Sequence, residues 1–252
     1  MKKIVLISGA TAGIGEALAW KFAENNYNLI LTGRRSERLE KIKIELSKKY
    51  DVEVLTLNFD IRKLKEVEDA VKSIPRNWQN IDVLINNAGL AAGVTPIQEG
   101  VYDDWERMID TNIKGLLYLS RNIIPMMKAR KKGHIINIGS IAGKQVYPNG
   151  NVYCGTKAAV QSITEGMRID LVNYGIKVTQ IAPGAVETEF SLIRFHGDEE
   201  AAKKVYNGYK PLTAKDIAEV IFYTTTLPEH VNINDLLVTP TAQANAYIYN
   251  KK

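Results

Sequence analysis

Tyr153 and Lys157 stand four residues apart in the run Tyr153-Cys154-Gly155-Thr156-Lys157, so on a helix they share one face. A free phenol has a pKa of about 10 and is a poor base at neutral pH. A neighbouring ammonium favours the phenolate, and one close opposite charge lowers a pKa by about 1–3 units. That brings Tyr153 towards the range useful for general acid–base catalysis. In a carbonyl reduction the phenol gives its proton to oxygen as hydride reaches carbon. Ser140, thirteen residues upstream in Ile138-Gly139-Ser140, can hydrogen-bond the same oxygen. Asn112, in Asp110-Thr111-Asn112-Ile113-Lys114-Gly115, offers an amide that could hold a water between Lys157 and solvent. A Tyr-x-x-x-Lys spacing alone is commonplace; Ser140, Asn112 and a glycine loop in this order give it meaning.

That loop is Ser8-Gly9-Ala10-Thr11-Ala12-Gly13-Ile14-Gly15. Glycines let the backbone turn sharply and approach a ligand, and the start of the following helix offers free N–H groups to a pyrophosphate. Gly9, Thr11, Gly13, Ile14 and Gly15 are therefore candidate cofactor contacts, although the spacing is G-x-x-x-G-x-G rather than the commonest fingerprint. The second strand ends in Thr32-Gly33-Arg34-Arg35, where an NAD site usually carries an acid for the ribose 2′-hydroxyl. Two arginines there suit a 2′-phosphate, so the expected cofactor is NADP. Asp60, followed by Ile61, either accepts from the adenine amino group or caps the next helix. Small residues in Asn86-Asn87-Ala88-Gly89 let Asn87, Ala88 and Gly89 pass close to a ribose.

Positioning these groups requires a particular scaffold. Apolar runs without polar alternation lie at 3–8, 28–32, 53–58, 83–86, 134–138, 177–181 and 235–239, as expected of strands buried on both faces. Helical patterns run at about 13–25, 36–48, 63–74, 103–130, 151–173 and 213–226. The alternation predicts an α/β fold: a doubly wound parallel sheet with helices on both faces, and a cleft at the carboxyl ends of the strands. No linker or repeat interrupts it, so residues 1–252 read as one domain.

Composition narrows the function classes. At 252 residues, 45% hydrophobic and 24% charged, the chain is an ordinary globular protein. No run of about 18 uncharged apolar residues suggests a membrane span. A lone cysteine, Cys154, suits a reducing cytosol. Its three histidines, His134, His196 and His230, are too scattered to suggest a metal site. The net charge of +5 is spread among interleaved acids, and the Lys128–Lys132 cluster reads as a helix C-terminus rather than a nucleic-acid site.

Taken jointly, Gly9/Gly13/Gly15, Asn86-Asn87-Ala88-Gly89, Asn112, Ser140, Tyr153, Lys157 and Pro183-Gly184 resemble the short-chain dehydrogenase/reductase family over nearly the whole chain. The resemblance implies a Rossmann-type sheet of about seven strands, a Ser140–Tyr153–Lys157–Asn112 catalytic tetrad, and a homotetramer. It implies that Lys157 holds the nicotinamide ribose. It extends the cofactor contacts to Pro183, Gly184, Val186 and Thr188, the last on the carboxamide. Ser8, where the family more often has threonine, keeps the hydroxyl.

The segment at about 188–212 then corresponds to a substrate lid. Together with 227–234 it resembles that of NADP-dependent 3-hydroxy acid dehydrogenases, which act on serine, allo-threonine and related acids. Such substrates carry an anion near the reacting carbon, so a cation is needed, and Arg194 is the candidate, with Lys144 and Gln145 as alternatives. The expected substrate contacts are Ser140, Gln145, Tyr153 and Arg194. The tail after Pro240 is apolar enough to meet another subunit. Reduction of another small carbonyl (sulfoacetaldehyde, a diketone, a 3-oxoacyl thioester) and non-catalytic NADP binding are the competing expectations.

Overall fold

Ile4, Val5, Leu6 and Ile7 are all buried, and so is every residue from Gly133 to Ile138. Strands covered on both faces account for runs of Val, Ile and Leu without alternation. The computed structural model describes residues 2–252. Its main sheet has seven strands: Ile4–Ser8 (β1), Asn28–Gly33 (β2), Val54–Asn58 (β3), Ile81–Asn86 (β4), Gly133–Ile138 (β5), Ile176–Pro183 (β6) and Asp235–Val238 (β7). All neighbours pair in parallel, in the order β3-β2-β1-β4-β5-β6-β7. The order reverses between β1 and β4, and a crevice opens at such a switch point.

The helices are Gly13–Glu24 (α1), Ser36–Lys49 (α2), Leu64–Lys72 (α3), Tyr102–Ile109 (α4), Leu116–Arg130 (α5), Asn151–Leu171 (α6), Phe190–Arg194 (α7), Glu199–Lys204 (α8) and Ala214–Thr226 (α9). Successive residues of β1 face opposite ways and feed two cores. Val5 and Ile7 join Phe22 of α1, Leu39 of α2 and Ile221 of α9. Ile4 and Leu6 join Val67 of α3, Ile123 of α5 and Leu171 of α6.

The helix expected over 103–130 is interrupted. Between α4 and α5, Asp110–Gly115 forms a π-helical turn, the widened geometry that recurs at functional sites. It ends at Gly115, where a side chain would come within 2.9 Å of Ile61. The segment 188–212, expected to form a lid, holds two short helices, α7 and α8, separated by His196 and Gly197 at positive φ. Two-residue strands at its ends, Val186–Glu187 and Leu212–Thr213, pair in parallel and pin its root; runs this short carry no periodicity. The tail after Pro240, expected to meet another subunit, makes contacts within its own chain. It folds back on its own chain, stacking Tyr249 on Tyr209 at 4.9 Å and donating from Lys252 N to the Gly208 carbonyl.

Phe22 is fully buried and meets Tyr27 and Phe222 edge-on, with centroids 5.0 and 5.3 Å away. Phe22→Ala should cost about 3–5 kcal/mol of unfolding free energy in urea titrations; a loss below about 1 kcal/mol contradicts this packing.

Candidate active site

A cleft of about 730 Å³ runs across the carboxyl ends of the strands. Gly9 and Gly13 form part of its wall with φ of +67° and +57°. A side chain on Gly9 would lie 2.9 Å from the Ala88 Cα, and one on Gly13 would lie 3.3 Å from the Thr188 side chain. The two turns of chain are stitched by Ser8, whose Oγ accepts from the N–H groups of Asn87 and Ala88 at 3.0 Å each. The hydroxyl at this position is therefore used as a threonine's would be. At the cap of α1 stands Ala12, with no side-chain bond to the helix start. Its first N–H groups stay free beside Gly13 and Ile14, both in the cleft wall. Pinched glycines and an uncapped helix start fit a dinucleotide pyrophosphate.

Gly15 differs from expectation. It does not line the cleft, and a side chain there would strike the Gly9 carbonyl oxygen at 2.2 Å. Its role is to let α1 pack against the loop. Thr11, Ala88, Gly89, Ile61, Pro183, Gly184, Val186 and Thr188 do line the cleft, as do Arg34, Arg35, Asp60 and Asn87. The arginines point different ways. Arg34 is exposed, and its charge helps lower Asp60. Arg35 turns to Thr11 Oγ1 (3.0 and 2.8 Å) and to Glu189 (3.0 Å). Asp60 does not cap α3, whose cap is Lys63. Instead Asp60 accepts from Arg62. Burial opposes its ionisation, but those bonds hold it below the usual carboxylate range.

Ser140, Tyr153 and Lys157 meet in the same cleft. Ser140 follows β5; its Oγ accepts from Ala142 N at 3.1 Å, which opens a short 3₁₀ turn. Lys157 is buried and donates from Nζ to the Ile138 carbonyl at 2.9 Å. Its Nζ lies 6.0 Å from the Tyr153 ring centroid. Burial brings the ammonium pKa down to about 8.

The same burial pushes the Tyr153 phenol up, with Tyr147 adding to the effect; Ser140 and Arg194 draw it back. This corrects the expectation that Lys157 makes the phenol acidic. In the protein's own field the phenol stays protonated at neutral pH, and Arg194 is the cation that opposes burial.

Asn112 also acts differently. It stands behind the wall, and both of its amide donors are used. Oδ1 accepts from Leu90 N, while Nδ2 donates to Leu90 O and Thr156 Oγ1, at 2.8, 2.8 and 3.0 Å. Thr156 donates in turn to the Tyr153 carbonyl at 2.8 Å. The side chain braces the first turn of α6, and Oδ1 keeps a second acceptor position beyond its bond from Leu90 N.

Arg194, from α7, reaches over the centre. Its Cζ lies 5.3 Å from the Tyr147 ring centroid and 5.9 Å from that of Tyr153, and its Nε is buried without a partner. Gln145 is outside the cleft: it is exposed, and its Oε1 accepts from Ala246 N. Lys144 is likewise outside, paired with Asp235.

The cleft also contains residues that spacing did not single out: Tyr147, Phe190, Tyr206, Gln243 and Tyr249. Phe190 packs edge-on against Tyr153 at 5.8 Å. Gln243 reaches Ala185 N at 2.9 Å, an approach that only a residue without a side chain at Gly184 permits. Aromatic enrichment in the lid and tail was the only available signal. Among the described residues, no cluster of three or more His, Cys, Asp or Glu is placed to hold a metal.

Comparison with known proteins points one way. The sequence pattern described as short chain dehydrogenase matches residues 3–196. The chain is 48% identical over 244 residues to the NADP-dependent 3-hydroxy acid dehydrogenase YdfG of Salmonella typhi, covering 96% of this chain and 97% of that one. It is 46% identical over 245 residues to sulfoacetaldehyde reductase 2 of Chromohalobacter salexigens, covering 97% and 96%. The closed form of a serine dehydrogenase complexed with NADP+ superimposes with a TM-score of 0.92 at 45% identity, over 99% of each chain. With its seven-stranded sheet, glycine loop and Ser140/Tyr153/Lys157 cleft, the chain belongs to the short chain dehydrogenase family.

Proposed function

We propose that the protein is an NADP(H)-dependent oxidoreductase interconverting short 3-hydroxy acids, of the serine or 3-hydroxypropionate type, and their carbonyls. One observation carries this reading. The Arg194 guanidinium stands over the same phenol, Tyr153, that Ser140 and Lys157 flank, and all four line the cleft of the glycine loop. The relatives named for 3-hydroxy acids and for serine support the substrate class.

NADP(H), when bound, supplies or takes up the hydride. The loop Gly9–Gly13 and the start of α1 hold its pyrophosphate, Arg34 its 2′-phosphate, Lys157 the ribose and Thr188 the carboxamide. Ser140 donates to the substrate oxygen and fixes it. Tyr153 gives its hydroxyl proton to that oxygen in reduction and recovers it in oxidation. A phenol kept protonated by burial is ready for the first direction. Arg194 clamps the substrate's anion, and α7 with Phe190 shields the reacting atoms from water.

A sulfonate would satisfy the same guanidinium, so sulfoacetaldehyde is the second reading, favoured by the Chromohalobacter relative. We also read the protein as a cytoplasmic homotetramer. Apolar surface at Tyr247 and Ile248, 59% and 53% exposed, supports the assembly; the single cysteine supports the compartment.

Turnover of serine, 3-hydroxypropionate and sulfoacetaldehyde with NADP(H) tests the substrate assignment. Tyr153→Phe should keep nucleotide binding while kcat falls by about two or more orders of magnitude; retained kcat removes Tyr153 from the proton's path. Arg194→Ala should raise KM for serine about tenfold or more with nucleotide affinity unchanged; an unaltered KM removes the clamp.

Lys157 gives a pH signature. Its folded pKa, about 8, lies below the ordinary 10.5. Between these values the unfolded chain binds more protons, so stability rises with pH through that window and is penalised below it. Wild type should therefore gain about 2–3 kcal/mol relative to Lys157→Met between roughly pH 8 and 10.5, read by urea unfolding at each pH. A difference that stays constant across the window contradicts a desolvated ammonium.

A further inference from the structure

Glu189 is the residue between Thr188 and α7, so it sits at the root of the lid. Its carboxylate receives two guanidiniums. Arg35 Nη1 reaches it at 3.0 Å, and Arg38 Nη1 reaches both oxygens at 2.8 and 3.0 Å. The arginines in turn hold the glycine loop. Arg35 donates to Thr11 Oγ1 through Nε and Nη2, and Arg38 reaches the Thr11 carbonyl at 3.4 Å. The chain Thr11–Arg35–Glu189–Arg38 thus joins one bank of the cleft to the other. Thr11, Arg35 and Glu189 line the cleft, and Arg38 does not.

No buried core requires this link. The three charged side chains are 42–46% exposed. Burial works against ionisation of Glu189, yet the two arginines hold its carboxyl below the usual range. Isolated exposed pairs are weak. One carboxylate shared by two guanidiniums, through one nitrogen of each, is a network and not an isolated pair. It also divides the arginines: Arg35 is engaged with Thr11 and Glu189, which leaves Arg34 for a phosphate.

We infer that Glu189 is a clasp for the nucleotide: through Arg35 and Arg38 it fastens the lid to the glycine loop across the cleft, and the nucleotide leaves only when these pairs open. This rests on the reading that the dinucleotide lies along the Gly9–Gly13 loop. Because the clasp closes protein on protein, it ignores the 2′-phosphate and retains NADPH and NADH alike. Glu189 is a positioning residue, and its effect is on release.

The test is stopped-flow displacement of prebound NADPH, and separately of NADH, followed by nucleotide fluorescence. It compares wild type, Glu189→Gln, Arg38→Met and the double variant. Each single variant should release both nucleotides about three- to tenfold faster. The double variant should be no faster than the singles, because both break one network. Unchanged release from Arg38→Met, or additive effects, overturns the clasp. So does an effect of Glu189→Gln confined to NADPH, which would make the carboxylate a competitor of the 2′-phosphate. Gly13→Val separates the underlying reading. It should abolish binding, since residue 13 has φ of +57° against Thr188; nucleotide binding that survives it overturns the cofactor placement and the clasp together.

Discussion

Desolvation of the Tyr153 and Lys157 side chains is the constraint on which the chemistry depends. Removal from water penalises the charged form of any acid or base. At this site it acts on two groups at once, lowering the ammonium of Lys157 and raising the phenol of Tyr153. Both are driven towards neutrality, so the pair does not behave as a fixed ion pair. Its protonation responds to whatever charge enters the cleft. The walls that create this condition come from the lid and from Tyr147: Phe190 lies against the phenol, and Arg194 lies over it. Chemistry and lid position are thereby coupled through solvation.

The surrounding polar bonds serve placement. A π-helical turn sets Asn112 where its amide can satisfy both backbone groups of Leu90 and still reach Thr156. Through Thr156 the brace continues to the Tyr153 carbonyl. The segment after β4 and helix α6 are thus fixed relative to each other by one side chain that spends both of its donors. At the other end of the cleft, Ser8 does similar work between β1 and β4. Buried polar groups of this kind tolerate little displacement, because an unmade bond in a dry site is costly.

What could be read from the residues follows from the range of the forces involved. Strands β1, β2 and β4 are legible because burial on both faces leaves the apolar runs Ile4-Val5-Leu6-Ile7, Leu29-Ile30-Leu31 and Val83-Leu84-Ile85. The glycine loop, Ser140, Tyr153 and Lys157 were legible because local spacing imposes their geometry. The pairing of Arg35 with Glu189 was not, since 154 positions separate them and either could have been a solvated surface charge. Gln145 looked like a neighbour of Ser140 in sequence, but the chain leaves the cleft after the 3₁₀ turn and spends that amide on the tail. The bonds of Asn112 to Leu90 and Thr156 were not legible, because a π-helical turn breaks the 3.6-residue pattern and the partners lie 22 and 44 positions away. The direction of the Tyr153 shift was missed for a related reason: spacing shows the charge beside a group, whereas desolvation is set by elements far away in the chain.

Arg194 bears on which carbonyls this cleft accepts. Its guanidinium lies among the rings of Tyr147, Tyr153 and Phe195, and Nε is buried with nothing to receive its proton. Ring faces attract a cation but accept hydrogen bonds poorly. A charge held this way retains an unmet demand for acceptors, and an unpaired buried donor costs about 1–3 kcal/mol. A substrate with a carboxylate or sulfonate supplies two oxygens at once and removes that cost on binding. A diketone or a thioester brings only neutral carbonyl oxygens, which can accept from Nε but give the guanidinium no counter-charge. On the proposed function, discrimination works by penalty as much as by attraction: a guanidinium that clamps a short anionic substrate also disfavours closure over a neutral one.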